Sequence, residues 1–499
     1  MDNASQRNSP VEISSDEFKK AGHSLIDAIA KFYEDIRQGP VTTGESPGQI
    51  QEIIGKDILP QHGGHVQGII DKATDLLFKH SLFNGHPKFF GYITSSPTQV
   101  GALADLIAAA VNPNVGANIL SPMATAIEKQ TIKWLAEFIG VSNNYGGVLV
   151  SGGNMANLTA FLAARTAKAP KNLKEEGLKN IEHEMVFYCS KATHTWIEKA
   201  AVLFGHGTKA IRWIPTDATN KMNIQVLKQT INDDLREGKK PFLIIANAGD
   251  VSTGVVDDLS AIAAVCKSHD LWFHIDGAYG IPAAVVPGYE KLFIGMEEAD
   301  SIAIDPHKWL YAPLEAGCTL VKNPQHLVDT YSAHPVYYNF DSTGTETATN
   351  FYEYGFQNSR GFRALKVWMA LQQVGKNGYI QSIKEDIELA KFLYEEAGNH
   401  PELEAVTQNL SITTLRYNPK GYTDNNAGND DYLNSLNENL LNSLQQGGEV
   451  FLSNAVIENK YCLRACIVNF RTTKKDIQEV IKVIAREGRK VHETAMNIR

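Results

Sequence analysis

The sequence predicts an α/β protein built on a mainly parallel sheet that helices cover on both faces. Seven short apolar runs recur in its central part: Gly147–Val150, Met185–Cys189, Ala210–Ile214, Phe242–Ala246, Leu271–Ile275, Ser301–Ile304 and Cys318–Val321. Helix-like patterns separate most of the earlier runs: Ala156–Ala167, Thr195–Phe204, Asn223–Glu237 and Leu259–Ser268. Nearly all-apolar strands that alternate with helices are typical of a parallel sheet buried on both faces. In such sheets ligands bind at the carboxyl ends of the strands.

Composition excludes several classes of protein. The chain has 499 residues and a net charge of −9, and no cluster of Lys and Arg stands out, which argues against a nucleic-acid or anionic-membrane surface. Its cysteines lack the CxxC spacing of zinc sites and are odd in number, so we expect neither a metal nor a disulfide framework, and a reducing compartment. The polar first twenty residues do not resemble a signal peptide, and we expect a soluble, cytoplasmic protein.

The remaining elements predict a three-part chain. Residues 1–85 hold a long amphipathic helix that ends at Gly39-Pro40 and needs a surface to cover, on its own body or on a second subunit. Residues 86–375 form the large domain, and within it the irregular stretch of about 332–358 reads as a lid. Residues 376–499 alternate helix-like and strand-like segments and predict a small α+β domain. A helix at 363–374 ends the large domain, and the segments that follow are helices at 379–397, 430–444 and 474–489, and strands at 412–417, 449–455 and 461–468.

Lys308 follows directly on one of the apolar runs, in SIAIDPHKWL (301–310). A desolvated lysine can lose its proton, and the neutral amine forms Schiff bases with aldehydes. The alternative is an ordinary solvated lysine, so the assignment depends on partners elsewhere in the chain.

Three further strand ends supply such partners. Asp276 ends the run WFHID and either caps the next turn or pairs with a cation, such as a protonated heterocycle. GGVLVSGGNMAN (146–157) is a strand, a glycine turn and a helix, whose first N–H groups suit a phosphate. His194 opens another helix. It is either a functional imidazole or an ordinary polar residue at a helix N-terminus. An anion site, an imidazole, a carboxylate and a lysine at one end of a sheet are what pyridoxal phosphate requires.

The chain resembles the pyridoxal-phosphate-dependent group II amino-acid decarboxylases. The resemblance rests on HPKFF (86–90), HIDGAY (274–279), DPHKW (305–309) and RGFRALK (360–366), with a weaker echo in LRACIVNF (463–470). It implies the fold type I architecture of pyridoxal-phosphate-dependent transferases and a homodimer with a shared active site, on which the first helices pack.

The resemblance also implies roles for individual residues. Lys308 would form the Schiff base, Asp276 would pair with the pyridinium nitrogen, and His194 and Ala278 would lie on opposite faces of the ring. The phosphate would be held by Gly152, Gly153, Asn154, Asp305 and His307. The reaction implied is decarboxylation of an L-amino acid to its amine.

Two departures from the family pattern bear on this assignment. Relatives usually have asparagine where this chain has Asp305, and a carboxylate beside a phosphate is unfavourable unless it turns away or is bridged. The family's lid carries a tyrosine that protonates the carbanion, and its loss favours an oxygen-dependent aldehyde product. Counting back from RALK places Phe351 there, and the hypothesis is that the neighbouring Tyr352 takes over.

An aromatic substrate, namely tryptophan, phenylalanine or tyrosine, is favoured over an acidic one. The expected pocket is apolar, and a small residue at 117 leaves room for an indole. Its expected lining is Phe90, Tyr92, Ile93 and Phe351, with Ala117, Val115 and Ile119 reaching in from a partner subunit. The alternatives are core positions for these residues, an aldehyde synthase or acidic-substrate decarboxylase on the same scaffold, and a catalytically silent scaffold.

Overall fold

The central sheet has seven strands in the order β1-β7-β6-β5-β4-β2-β3. The computed structural model describes residues 9–56, 58–142, 144–170, 173–333, 348–420 and 428–498. The strands are β1 (Gly146–Val150), β2 (Met185–Ser190), β3 (Ile211–Ile214), β4 (Lys240–Asn247), β5 (Trp272–Asp276), β6 (Ser301–Ile304) and β7 (Gly317–Val321). β7 runs antiparallel to both of its neighbours, and the other pairs are parallel. The predicted mainly parallel sheet is confirmed, since all seven apolar runs form its strands.

A second, antiparallel sheet lies toward the end of the chain, in the order β10-β11-β9-β8. Its strands are β8 (Leu403–Asn409), β9 (Ile412–Tyr417), β10 (Ser453–Ile457) and β11 (Lys460–Cys466). The sequence did not reveal β8, because this edge strand is only half-buried along most of its length and carries no apolar run. The helices and strands predicted beyond residue 376 are otherwise present, with boundaries shifted by a few residues, and the division into three domains stays a prediction.

Helices cover both faces of the central sheet, and others pack on the second sheet. They are α1 (Ser15–Asp35), α2 (Pro47–Ile54), α3 (Val66–Lys79), α4 (Gln99–Val111), α5 (Pro122–Ile139), α6 (Gly153–Lys168), α7 (Leu173–Glu176), α8 (Trp196–Leu203), α9 (Ile224–Arg236), α10 (Leu259–His269), α11 (Gln325–Tyr331), α12 (Ala364–Asn399), α13 (Gly428–Gly447) and α14 (Lys474–Ile498). Within the described residues, no helix has the length and apolarity needed to cross a membrane.

Local chemistry explains where the elements that position the site begin and bend. The Ser14 hydroxyl caps α1 by accepting the Glu17 N–H, and Pro122 opens α5, where a missing N–H costs nothing. In α12, Gly375 has a φ of 68°, so a kink separates the two helices that the sequence pattern predicted there. The second half of α12 packs on the second sheet and also reaches the turn after β6, which carries Lys308.

Candidate active site

A cavity of about 540 Å³ opens at the carboxyl ends of the central strands. Strands β1, β2, β5 and β6 all run toward the cavity, so the residues that follow each of them form part of its wall. Ten of the residues predicted from sequence line this cavity: Ile93, Gly152, Gly153, Asn154, His194, Asp276, Ala278, Asp305, His307 and Lys308.

Lys308 lies in a tight turn that follows β6. Its backbone N–H donates to the Asp305 carbonyl at 2.9 Å, and its Nζ lies 3.0 Å from Asp305 Oδ2. This contact has the distance of an ion pair without the angles of a hydrogen bond, so both Asp305 oxygens remain buried without a hydrogen-bond donor among the described residues. The amine is therefore held inside the cavity by charge, beside a carboxylate that has unused acceptor capacity.

Asp276, the last residue of β5, has its carboxylate oriented from two sides. Oδ2 accepts the indole N–H of Trp196 at 2.8 Å, and Oδ1 accepts the Ala278 backbone N–H at 3.3 Å. Trp196 is the first residue of α8 and is 1 % exposed, so its donor is fixed in place. Trp196 stands only two residues after His194 but was not among the residues predicted from the sequence.

The glycine turn between β1 and α6 lies against the Lys308 turn. Gly152 has a φ of 151°, which favours glycine, and a β-carbon there would lie 3.2 Å from the His307 ring. A β-carbon on Gly153 would lie 2.6 Å from Asp305 Oδ2 and 3.3 Å from Ala278 Cβ. The first N–H groups of α6 have no intrahelical partner, so the turn forms a cradle for an anion.

Gly153→Ala is expected to weaken pyridoxal phosphate binding by about 10- to 100-fold, because overpacking a filled site costs about 1–3 kcal/mol. Fluorescence titration with the cofactor measures the change in Kd. Gly68→Ala in α3 is the matched control, since an added β-carbon there meets no atom within 4 Å. Equal affinities for the two variants would contradict the assignment of the cradle.

Two imidazoles complete the cavity wall, and both are neutral near pH 7. His194 lies at the mouth with one edge in solvent, and its Nδ1 accepts the Trp196 backbone N–H at 3.3 Å. His307 accepts the Ala316 N–H at its Nδ1 at 3.1 Å. Desolvation lowers the pKa of each ring, and the nearby Asp276 and Asp305 oppose this only in part. A neutral ring suits stacking on a cofactor and hydrogen bonding to it.

A buried hydrogen-bond chain behind Asp276 also escaped the sequence analysis. The Trp272 indole donates to Ser301 Oγ at 2.8 Å, and His274 joins Ser301 Oγ and Asn157 Oδ1, each at 2.8 Å. Burial lowers the pKa of His274 to about 4, so the ring is neutral and its two nitrogens divide donor and acceptor roles. Asn157 lies one helical turn after Gly153 and lines the cavity. Its hydrogen bond to His274 therefore fixes the Asn157 amide in the cavity wall.

Six of the seven residues expected around the substrate do not line this cavity. Phe90 is fully buried in the core beside the second sheet, and Ala117 is 2 % exposed. Tyr92 is 59 % exposed, with its carbonyl accepting a hydrogen bond from Arg464 at 2.5 Å. Phe351 is buried beneath the guanidinium of Arg360, which lies 5.0 Å from the ring centre. Of the predicted lining, Ile93 alone reaches the cavity of its own subunit within the described residues.

About half of the predicted lid, residues 334–347, lies outside the described residues. Its described end carries a short 3-10 helix, Phe351–Glu353, in which Tyr352 is 8 % exposed. The Tyr352 backbone N–H donates to the Gly116 carbonyl at 3.0 Å. Phe351 and Tyr352 thus pack into their own subunit. The three residues expected from a partner subunit divide, since Ile119 is 69 % exposed whereas Val115 and Ala117 are buried.

The residues present fit pyridoxal phosphate. The cavity offers an amine for its aldehyde, an anionic oxygen pair for its ring nitrogen, and the N-terminus of a 16-residue helix for its phosphate. Asp305 lies beside the glycine turn and opposes an anion there, and Lys308 and His307 face its carboxylate at 3.0 and 3.7 Å. The fold and site together are those of an enzyme that uses pyridoxal phosphate.

Comparison with known proteins agrees with this class. The family model described as the pyridoxal-dependent decarboxylase conserved domain matches residues 47–417. An aromatic-L-amino-acid decarboxylase of Bacillus atrophaeus is 33% identical over 489 residues, which cover 96% of this chain and 97% of the relative. A phenylacetaldehyde synthase of Arabidopsis thaliana is 27% identical, with 95% of this chain and 96% of the relative covered. A structure of Oryza sativa TDC with PLP and tryptamine superposes with a TM-score of 0.87 at 24% identity, covering 97% of this chain and 99% of that one.

The chain belongs to the pyridoxal-dependent decarboxylase family. It is a fold type I enzyme that uses pyridoxal phosphate, and its class is that of the carboxy-lyases acting on amino acids.

Proposed function

We propose that this enzyme decarboxylates an aromatic L-amino acid to the corresponding amine and CO₂. The proposed substrate class rests on the charges in the cavity wall. Among the described lining residues Lys308 is the sole lysine and there is no arginine, whereas Asp250 and Glu315 both lie in the wall. A substrate with an acidic side chain would meet carboxylates without a cation to pair with, which is unfavourable. Ile93, Met155 and Leu314 supply apolar surface instead.

The site residues divide the work of this reaction. When bound, pyridoxal phosphate accepts the electron pair that remains when the substrate carboxylate leaves as CO₂. Lys308 would be the residue that holds the cofactor until the substrate amine binds. Asp276, fixed by the Trp196 indole, keeps a proton on the ring nitrogen and so favours the charge that develops there. His194, which lines the cavity, would cover one face of the ring, and a proton delivered to Cα would complete the amine.

A product screen tests the proposal against its alternatives. The purified full-length chain is incubated with each proteinogenic amino acid, and mass spectrometry identifies amine, aldehyde or neither. Amines from tryptophan, phenylalanine or tyrosine support the proposal. Turnover confined to glutamate or aspartate overturns the substrate choice. A chain that binds no cofactor at Lys308 and converts nothing is a silent scaffold.

An aldehyde synthase is the second candidate, because Phe351 stands at the position counted for the lid tyrosine and because of the likeness to a phenylacetaldehyde synthase. The burial of Tyr352 makes it a poor proton donor to a substrate. Besides Tyr354, whose ring packs against that of Phe351 with centroids 5.5 Å apart, the lid sequence contains two further tyrosines, Tyr337 and Tyr338, which lie outside the described residues. We therefore propose that one of these two supplies the hydroxyl and that the product is the amine.

Phenylalanine substitutions at the three tyrosines separate these hypotheses. Tyr352→Phe is expected to keep amine as its product, whereas Tyr337→Phe or Tyr338→Phe is expected to lower amine output by about 10²-fold or to divert it to aldehyde and ammonia, since general acid catalysis contributes about 10²–10⁴-fold. Amine and ammonia are measured in the same reaction. Loss of amine in Tyr352→Phe alone would restore the hypothesis that Tyr352 is the donor.

We propose further that the enzyme is a homodimer in which both subunits build each site. The first three helices bury few of their own side chains, and α4 presents Leu106 and Val111 at 52 % and 70 % exposure. Ile119, in the short 3-10 helix Asn118–Leu120 that precedes α5, is 69 % exposed as well. Large apolar side chains exposed in such number usually mark an interface, and a second copy is the occupant that the family resemblance implies.

A charged substitution in the proposed interface tests the dimer. Leu106→Asp is expected to shift the protein from dimer to monomer in light scattering after size exclusion, because a buried unpaired charge is costly. Ile294→Asp is the control, since Ile294 is 60 % exposed and lies outside helices α1 to α4. A wild-type chain that elutes as a monomer would contradict the proposal.

A cytoplasmic location is proposed from the thiols. All five cysteines are buried and free, which is typical of a protein kept in a reducing compartment.

A further inference from the structure

The turn that carries Lys308 contains a strained residue. Tyr311 has a φ of 52°, a left-handed conformation that side-chain-bearing residues rarely adopt. Its backbone N–H donates to the Lys308 carbonyl at 3.2 Å, so the strained residue closes the turn directly on the lysine. Such a backbone persists only where its surroundings hold it.

One face of α12 supplies this hold. Asp386 Oδ2 accepts the indole N–H of Trp309 at 2.9 Å and the phenol O–H of Tyr311 at 2.7 Å. Two turns earlier on the same helix, the Tyr379 hydroxyl donates to the Leu310 carbonyl at 3.1 Å. Three consecutive residues after the lysine are thus tied to α12, and two of them are tied to a single carboxylate oxygen.

Trp309, which Asp386 holds, also contacts the cavity wall. The Trp309 ring stacks on Tyr279 with centroids 5.0 Å apart, and Tyr279 lines the cavity. A shift of Asp386 would therefore reach both the lysine and the wall beside it.

Asp386 is fully enclosed, and its surroundings make its charge sensitive to pH. Burial raises the pKa of its carboxyl to about 7, although Tyr311, Trp309 and the Asn469 backbone N–H all stabilise the anion. Among the described residues, the other titratable groups that act on Asp386 are Glu385 of α12 and Cys466 of β11, and Tyr379 of α12 lies against the ring of Tyr311. Burial raises the pKa of the tyrosines and of Cys466, so these are neutral near pH 7, and Glu385 is a solvent-exposed carboxylate.

We propose that Asp386 is a positioning residue for Lys308, which clamps Trp309 and Tyr311 and so holds the amine in place for attachment of the cofactor. The proposal rests on the proposed role of Lys308. An ionised carboxylate accepts hydrogen bonds roughly twice as strong as a neutral acid does. The clamp therefore tightens as the pH rises through about 7, although a buried charge at Asp386 then lowers the stability of the folded chain.

The test measures how fast added pyridoxal phosphate becomes attached to Lys308 in the full-length chain. Borohydride reduction at timed intervals followed by mass spectrometry counts the modified lysine, from about pH 5.5 to about pH 8.5. Asp386→Asn is expected to match wild type at the acid end, because a neutral amide mimics the protonated acid. At the alkaline end it is expected to be about tenfold slower, the loss of a hydrogen bond to a charged group.

Two tyrosine variants keep the test decisive if Asp386→Asn does not fold. Tyr311→Phe removes one of the two clamp bonds and is expected to slow attachment at the alkaline end. Tyr331→Phe is the control, because its hydroxyl donates to the Thr159 carbonyl at 3.0 Å, away from the Lys308 turn. Equal rates for these two variants, or an Asp386→Asn profile parallel to wild type, would overturn the role of Asp386. A wild-type chain that attaches no cofactor would overturn the proposed function itself.

Discussion

Lys308→Ala is expected to abolish covalent retention of pyridoxal phosphate and to lower decarboxylation by at least about a thousandfold, because no other amine lines the cavity within the described residues. Alanine also leaves the Asp305 carboxylate, which Lys308 faces at 3.0 Å, without its nearest cation. Borohydride trapping followed by mass spectrometry reports the attachment, and amine production reports turnover.

Lys88→Met is the matched control for this variant. Lys88 and Lys308 each have a side chain 21 % exposed, and each faces a carboxylate, which for Lys88 is Glu479 at 3.4 Å. Removal of Lys88 therefore reproduces the loss of a half-buried charge without touching the cavity. If Lys308→Ala kept the cofactor attached, or if both variants lost activity equally, Lys308 would not be the anchoring lysine.

Asp276→Asn is expected to lower turnover by about 10²–10³-fold, the range found when a group that stabilises developing charge is removed. The Trp196 indole donates toward Oδ2, so the asparagine would turn its oxygen to Trp196 and its NH₂ toward the cofactor. An NH₂ group donates a hydrogen bond and favours an unprotonated ring nitrogen, which accepts electrons poorly. Single-turnover kinetics with an aromatic amino acid separates this effect from substrate binding.

Asp300→Asn controls for the loss of a partly buried carboxylate at the same sheet. Asp300 accepts the Phe273 N–H at 2.8 Å at the opposite end of β5, and burial raises its pKa. We expect it to change thermal stability and leave turnover intact. Asp276→Glu is informative too, because it keeps the charge and displaces it. Full activity in Asp276→Asn would rule out a pyridinium partner at this position.

Much of the architecture could be read from local pattern. The seven apolar runs became the seven strands of the central sheet because a strand buried on both faces must be apolar throughout, and this signal is local. Strand β8 was missed because a half-buried edge strand carries no such run. The alternation of strands with helices further predicted that the features after β1, β2, β5 and β6 share one edge, and the cavity lies there.

The sequence by itself determined which residues meet in the candidate site, namely Lys308, Asp276, His194 and the turn at 152–154, together with the family they indicate. Strand ends of a parallel sheet converge whatever the loops do, so these residues were bound to meet. Only the tertiary structure decided what orients them and what surrounds the substrate. The Trp196 donor, the Asp386 clamp and the burial of Phe90, Phe351 and Tyr352 all depend on contacts between segments far apart in the chain, for which neighbouring residues carry no signal.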